Sequence, residues 1–180
     1  MTSLKSRGFY FKVYSLLPII ILFISVLNEF DLNYLNLDYF SFNFPFILIF
    51  YFSLKEYHKF DYLLVFIAGL INDSVVGLPL GISSFSFIAV CIFASYLRNI
   101  TIRPHLIKDW FYFLFVISLI NSINYSVLFL FFSYELDFMY YLINNFFTFL
   151  LYVPISMILN YYLKAINDWS KWQCNKIKFY

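Results

Sequence analysis

The chain has 180 residues, 63% hydrophobic and 26% aromatic, with only 12% charged, where ordinary soluble domains carry about 25% charged residues. That composition excludes a soluble globular domain. The net charge of +2 is far from the strongly basic balance of nucleic-acid binders, so no nucleic-acid partner is expected.

A transmembrane helix needs about 20 mostly apolar residues, and about 17 to 25 are tolerated. Six runs qualify. The first, Phe9–Leu27, follows Lys5 and Arg7 and carries Lys12 near its start. This resembles the basic start of a secretory signal, but the apolar run is long and no small-x-small cleavage site follows, so a retained helix is expected. The second, Asp38–Leu54, and the third, Phe60–Val76, are separated by a short segment with Lys55, Glu56 and Lys59. The fourth, Ile82–Leu97, ends before Arg98, Arg103 and Lys108. The fifth, Phe111–Phe132, carries Ser118, Ser122 and Ser126 at spacing four, with Asn121 and Asn124 among them. The sixth, Phe138–Leu163, adds Asn144, Asn145, Thr148 and Asn160.

These runs are too long and unbroken for barrel strands, which alternate, and backbone groups in lipid must pair within their own segment. The expected fold is therefore all-α and integral to the membrane, one domain over residues 1–180 with six helices in a single bundle. The connections leave no room for a soluble domain. Residues 164–180 form a tail in which Trp169, Trp172, Phe179 and Tyr180 alternate with four lysines, a mixture suited to the headgroup region and anionic lipid on the cytoplasmic side.

The basic residues set the orientation, because Lys and Arg in short loops stay cytoplasmic. With the amino terminus inside, all twelve fall on that side: before or at the start of the first helix, after the second, after the fourth and after the sixth. The opposite connections and their edges hold Glu29, Asp31, Asp38, Asp73, Glu135 and Asp137, without a Lys or Arg. Six helices with both termini cytoplasmic is the arrangement that satisfies this segregation.

Only four glycines occur, and two of them lie in NDSVVGLPLG, residues 72–81. Gly69, Asp73 and Gly77 are spaced by four and so share one helix stripe, where small residues let a neighbouring helix approach closely. Gly77 is placed to end the third helix in the left-handed conformation, and Pro79 cannot continue it. Gly81 then opens the next turn, and Ser83 or Ser84 is placed to cap the fourth helix. A tight outer-face hairpin results, with Asp73 just inside its mouth. An ionisable group within a membrane helix usually pairs there, and Asp73 on the Gly69 stripe is expected to dock a single partner helix. The blander alternative is that Gly77, Pro79 and Gly81 only make a turn.

The order Gly69-Leu70-Ile71-Asn72-Asp73, a short spacer, Gly77-Leu78-Pro79-Leu80-Gly81 and a Ser- and Ala-bearing helix resembles the central signature of the MreD family, integral-membrane proteins that determine rod shape. Size and helix count agree, and outside roughly residues 60–98 the likeness is one of general hydropathy. The resemblance implies a non-enzymatic scaffold of cell-wall elongation and peptidoglycan synthesis in the bacterial inner membrane, without a cofactor. The implied partners are an MreC-like bitopic protein, RodA, a class B penicillin-binding transpeptidase and MreB filaments. The implied fold is similar to that of substrate-binding subunits of energy-coupling-factor transporters.

Such a vitamin-capture subunit is the alternative function. It often carries alanines at spacing four on its first helix, and residues 9–28 contain none. A lipid-modifying enzyme would want several carboxylates at one face, and Asp73 is the one expected within a helix. No phosphate loop or nucleophile elbow occurs. His58 and His105 lack the array a metal needs, and Cys91 and Cys174 are not placed for a structural disulfide. Ser118, Asn121, Ser122 and Asn124 are expected to pack against neighbouring helices, with a groove for a partner helix as the sharper alternative.

Overall fold

The structure, a computed structural model, describes residues 16–27, 42–55, 61–101, 105–133 and 138–177, and from residue 166 onward the backbone alone. Among the described residues there are six helices and no strand. They are α1 (Leu16–Leu27), α2 (Phe44–Lys55), α3 (Tyr62–Val76), α4 (Ile82–Ile100), α5 (Leu106–Phe132) and α6 (Phe138–Ile177).

The shortest of the later helices lies at the centre. In α2 every residue from Phe46 to Leu54 is buried, as expected of a helix apolar on all sides. It packs against α4 and α6. Phe50 meets Phe113 of α5 at 5.2 Å and Tyr152 of α6 at 5.9 Å between ring centroids, and the last two stack at 4.5 Å. Ring contacts of this kind add about 0.5–1.5 kcal/mol each beyond buried area. The Tyr51 hydroxyl donates to Asn160 Oδ1 at 2.7 Å, which answers the one polar group that a Tyr brings into such a core.

Three helices, α4, α5 and α6 as far as Ala165, are long and apolar enough to cross a membrane. At 1.5 Å per residue α2 rises about 18 Å, short of a hydrocarbon core of about 30 Å. The outward faces of the long helices are apolar: Phe85, Ile92 and Tyr96 on α4, Phe111 and Phe115 on α5, Phe146 and Leu150 on α6 are all exposed. Such faces suit lipid rather than water.

Several boundaries differ from the sequence reading. Helix α4 continues to Ile100, three residues past Leu97, and α5 begins at Leu106 rather than Phe111, since a drop in hydropathy marks the end of an apolar run and not of a helix. Helix α6 runs through Pro154 and on to Ile177, so most of the expected tail is helical. Phe42 and Asn43, expected within the second helix, precede α2, and the rest of the expected starts of the first two helices, residues 9–15 and 38–41, lies outside the described residues.

Candidate functional site

The α3–α4 hairpin is built by backbone contact. A Cβ placed on Gly69 would lie 2.4 Å from Ser84 Cα and 2.6 Å from Ser84 N, so a larger residue there would force the two helices apart. The Ser84 hydroxyl completes the crossing by donating to the Phe66 carbonyl at 3.1 Å. At the end of α3 the left-handed cap is Gly77, at φ 75° and ψ 24°, with its N–H on the Asp73 carbonyl, and Leu78 N–H donates to the same oxygen at 3.0 Å. Gly81, at φ 109° and ψ −21°, begins α4. Both angles fall where residues with a Cβ are strained. Pro79 sits between them, half-buried, and its carbonyl accepts from Ile82 N–H at 3.4 Å.

Asp73 is fully buried and holds the next helix. Its Oδ2 accepts the Gly81 N–H at 2.7 Å and its Oδ1 accepts the Ser83 N–H at 2.8 Å. A helix start leaves N–H groups without partners, and here a carboxylate from the preceding helix supplies the acceptors, in the place where negative charge also suits the helix dipole. Two expectations are corrected. Neither Ser83 nor Ser84 caps α4: Gly81 is the N-cap without a side-chain bond, and Asp73 does the capping. Gly69 and Asp73 do not face a partner helix either, because α4 of the same chain already covers both. Asn72, one position along, is half-buried and donates from Nδ2 to Ser83 Oγ at 2.9 Å.

Beside the hairpin lies a cavity of about 340 Å³ to which all six helices contribute. It gathers the ends of α1 and α3, the far half of α5 and the starts of α2, α4 and α6, with Asn43, Asn72, Ser83, Ser86, Asn124 and Asn144 among its polar walls. Neighbouring walls hold each other: Ser86 Oγ donates to Asn124 Oδ1 at 2.8 Å, Asn43 Nδ2 donates to Asn144 Oδ1 at 3.1 Å, and Asn43 N–H donates to Thr148 Oγ1 at 3.0 Å. A second hollow of about 180 Å³ shares Asn43, Asn121, Asn124 and Asn144 and extends between Tyr125 and Tyr141. Of the α5 residues singled out by sequence, Asn121 bonds Asn145 of α6 and Asn124 bonds Ser86 of α4. Ser122 Oγ lies 3.0 Å from the Tyr141 hydroxyl, which also donates to the Ser118 carbonyl at 3.5 Å.

The opposite end of the helices holds a second buried carboxylate. Asp109, 1% exposed, lies in the first turn of α5, and its Oδ2 is 3.6 Å from Lys55 Nζ at the end of α2. That oxygen accepts no hydrogen bond among the described residues. Nearby, Arg98 donates to the Ser53 carbonyl at 3.5 Å. Asp73 is thus not the one carboxylate within a helix, as the sequence reading had it; Asp109 is another. A signal for it was present, since Asp109, Phe113, Val116, Ile117 and Ile120 follow helical spacing and all are buried. Cys91 is buried as well, with Ser53 Oγ donating to its sulfur at 3.4 Å. His105 is the N-cap of α5 and makes no side-chain cap bond, while His58 lies outside the described residues.

Comparison with protein-family models, curated proteins and solved structures gives no match for this chain.

Proposed function

We propose that this protein is a six-span scaffold of the bacterial cell-wall elongation machinery, with both termini in the cytoplasm of a cell whose inner membrane it spans. It performs no reaction of its own and holds an MreC-like bitopic partner in a complex with RodA, a class B penicillin-binding transpeptidase and MreB.

The observation that carries this reading is the α3–α4 hairpin. The residues that resemble the MreD signature are the ones that build it: Gly69 permits the crossing, Asp73 caps α4, and Gly77 and Gly81 supply the two left-handed turns. These residues form one interlocked unit. The even number of helices and the gathering of alternate helix ends around one cavity support the six-span arrangement. So does the position of Lys55 and Arg98 at the other end, where the twelve basic residues are expected to face the cytoplasm.

Co-purification from detergent with an MreC-like protein tests the proposal, together with cell shape on depletion. Recovery of the partner and rounding of depleted cells are expected. Unchanged rods after full depletion would overturn the assignment, and so would failure of the wild-type chain to recover any elongation protein.

A further inference from the structure

We propose that the cavity beside the α3–α4 hairpin is a binding site for a neutral, hydroxyl-rich group of glycoside type, whether on a free sugar or on a glycolipid headgroup. The site stands apart from the scaffold proposal and would hold if that proposal failed.

Size comes first. At about 340 Å³ the cavity falls at the lower end of the range of small-molecule sites, about 300–1,000 Å³. Charge comes second. Among the described residues, none that lines it carries a formal charge, and Asp73, the nearby carboxylate, is engaged by the Gly81 and Ser83 amides. A phosphate, carboxylate or ammonium would enter without a counter-charge, which burial penalises heavily. A wholly apolar ligand is disfavoured for the opposite reason, since it would strip water from five asparagines without replacing its hydrogen bonds.

The remaining chemistry is selective. Asn43, Asn72, Asn121 and Asn124 each spend one end of the amide on a neighbour. The other ends, Oδ1 of the first three and Nδ2 of Asn124, make no hydrogen bond to a described residue. A carboxamide offers both a donor and an acceptor, and so does a hydroxyl, so several hydroxyls set around one ring match amides converging from several helices. A peptide would instead want its amides met in a line along an edge. Four phenylalanines, Phe42, Phe44, Phe46 and Phe87, complete the wall and offer surface to the C–H faces of a sugar ring. The amides are also held in advance: Asn72 by Ser83, itself fixed by Asp73, and Asn124 by Ser86. Pre-organisation of this kind lowers the ordering penalty of binding.

The test is saturation-transfer NMR on the full chain in a polyoxyethylene detergent free of sugar, with methyl β-D-glucopyranoside as probe and glucose 6-phosphate and cyclohexylmethanol as comparators. Saturable transfer to the methyl glucoside is expected, at least fivefold stronger than to either comparator, and at least fivefold weaker in Asn124→Leu and Asn43→Leu. Ser126→Ala, which lies outside the cavity wall, should keep the wild-type signal. Dodecyl β-D-glucopyranoside identifies the source: tenfold tighter binding than the methyl glucoside assigns a glycolipid headgroup, and equal binding assigns a free sugar. No saturable transfer to either glucoside would overturn the proposal, as would equal transfer to the phosphate or to the apolar alcohol. The comparator panel uses the wild type alone, so the outcome stands even where a variant fails to fold.

Discussion

Two carboxylates are buried at opposite ends of these helices, and the chain treats them differently. Asp73 gives each oxygen a backbone N–H at 2.7 and 2.8 Å, both supplied by a turn that lies within ten residues of it. Asp109 faces Lys55 at 3.6 Å across the bundle, and the facing oxygen accepts no hydrogen bond. The first carboxylate is a structural clamp with its acceptors filled. The second is an ion pair held at a distance, so it depends on where two separate helices happen to sit.

The difference can be broken most severely at Gly69, on which the clamp depends for its geometry. Gly69→Leu drives a side chain into the Ser84 backbone, and overpacking of this kind costs about 3 kcal/mol or more. Folded protein recovered from membranes should fall sharply, and thermal unfolding in detergent should shift down. Ser84→Ala should not rescue it, because the obstruction is backbone. A Gly69→Leu variant that accumulates and melts like wild type would show that the helices do not cross at this point.

Asp73→Ala comes next. It leaves the Gly81 and Ser83 N–H groups without acceptors inside the protein, a loss of about 2 kcal/mol. Asp73→Asn keeps one acceptor and should recover part of it. Equal stability of Asp73→Ala and wild type in an SDS titration would mean that α4 needs no cap from α3.

Lys55 and Asp109 offer the contrasting cycle. Lys55→Met leaves the buried carboxylate without its ion-pair partner, at about 2 kcal/mol, whereas Asp109→Leu leaves a lysine that still reaches solvent and should cost less. The double variant should approach wild type, since replacing a buried pair by apolar residues is often neutral. Strict additivity of the two single effects would show that the residues do not interact.

The smallest effects belong to the left-handed caps. Gly77→Val meets no neighbour within 4 Å, yet its φ of 75° strains a β-branched residue by about 1–2 kcal/mol. Ser133, which ends α5 at φ 50°, tolerates the same conformation without being glycine, so Ser133→Gly should raise stability by about 0.5 kcal/mol. A Gly77→Val effect no larger than that of Leu80→Val, an exposed change between the two helices, would separate the turn from any need for glycine.

The helices and the hairpin were legible because their causes are local. Apolar runs in lipid must be helical, and Gly77, Pro79 and Gly81 announce a turn whatever surrounds them. The misreadings came where local signals mislead. Asp109 sits where hydropathy falls, ahead of the apolar run Phe111–Phe132, although its spacing from Phe113 and Ile117 places it on the buried face. For Asp73 the sequence shows the chemistry and not the partners, which are the Gly81 and Ser83 amides.

By itself the sequence determined that the chain is helical and apolar enough for a membrane, that α3 turns into α4 at Gly77–Gly81, and that the basic residues segregate between alternate connections. These follow from single residues and short windows: a φ that only glycine adopts freely, a proline without an N–H, a backbone that must satisfy itself in lipid. Only the tertiary structure decided that α2 is the central helix, that Asp73 caps its neighbour, that Lys55 meets Asp109, and that asparagines from α3, α5, α6 and the approach to α2 converge on one cavity. Those outcomes depend on the relative rotation and depth of whole helices, and no short window of sequence carries that information.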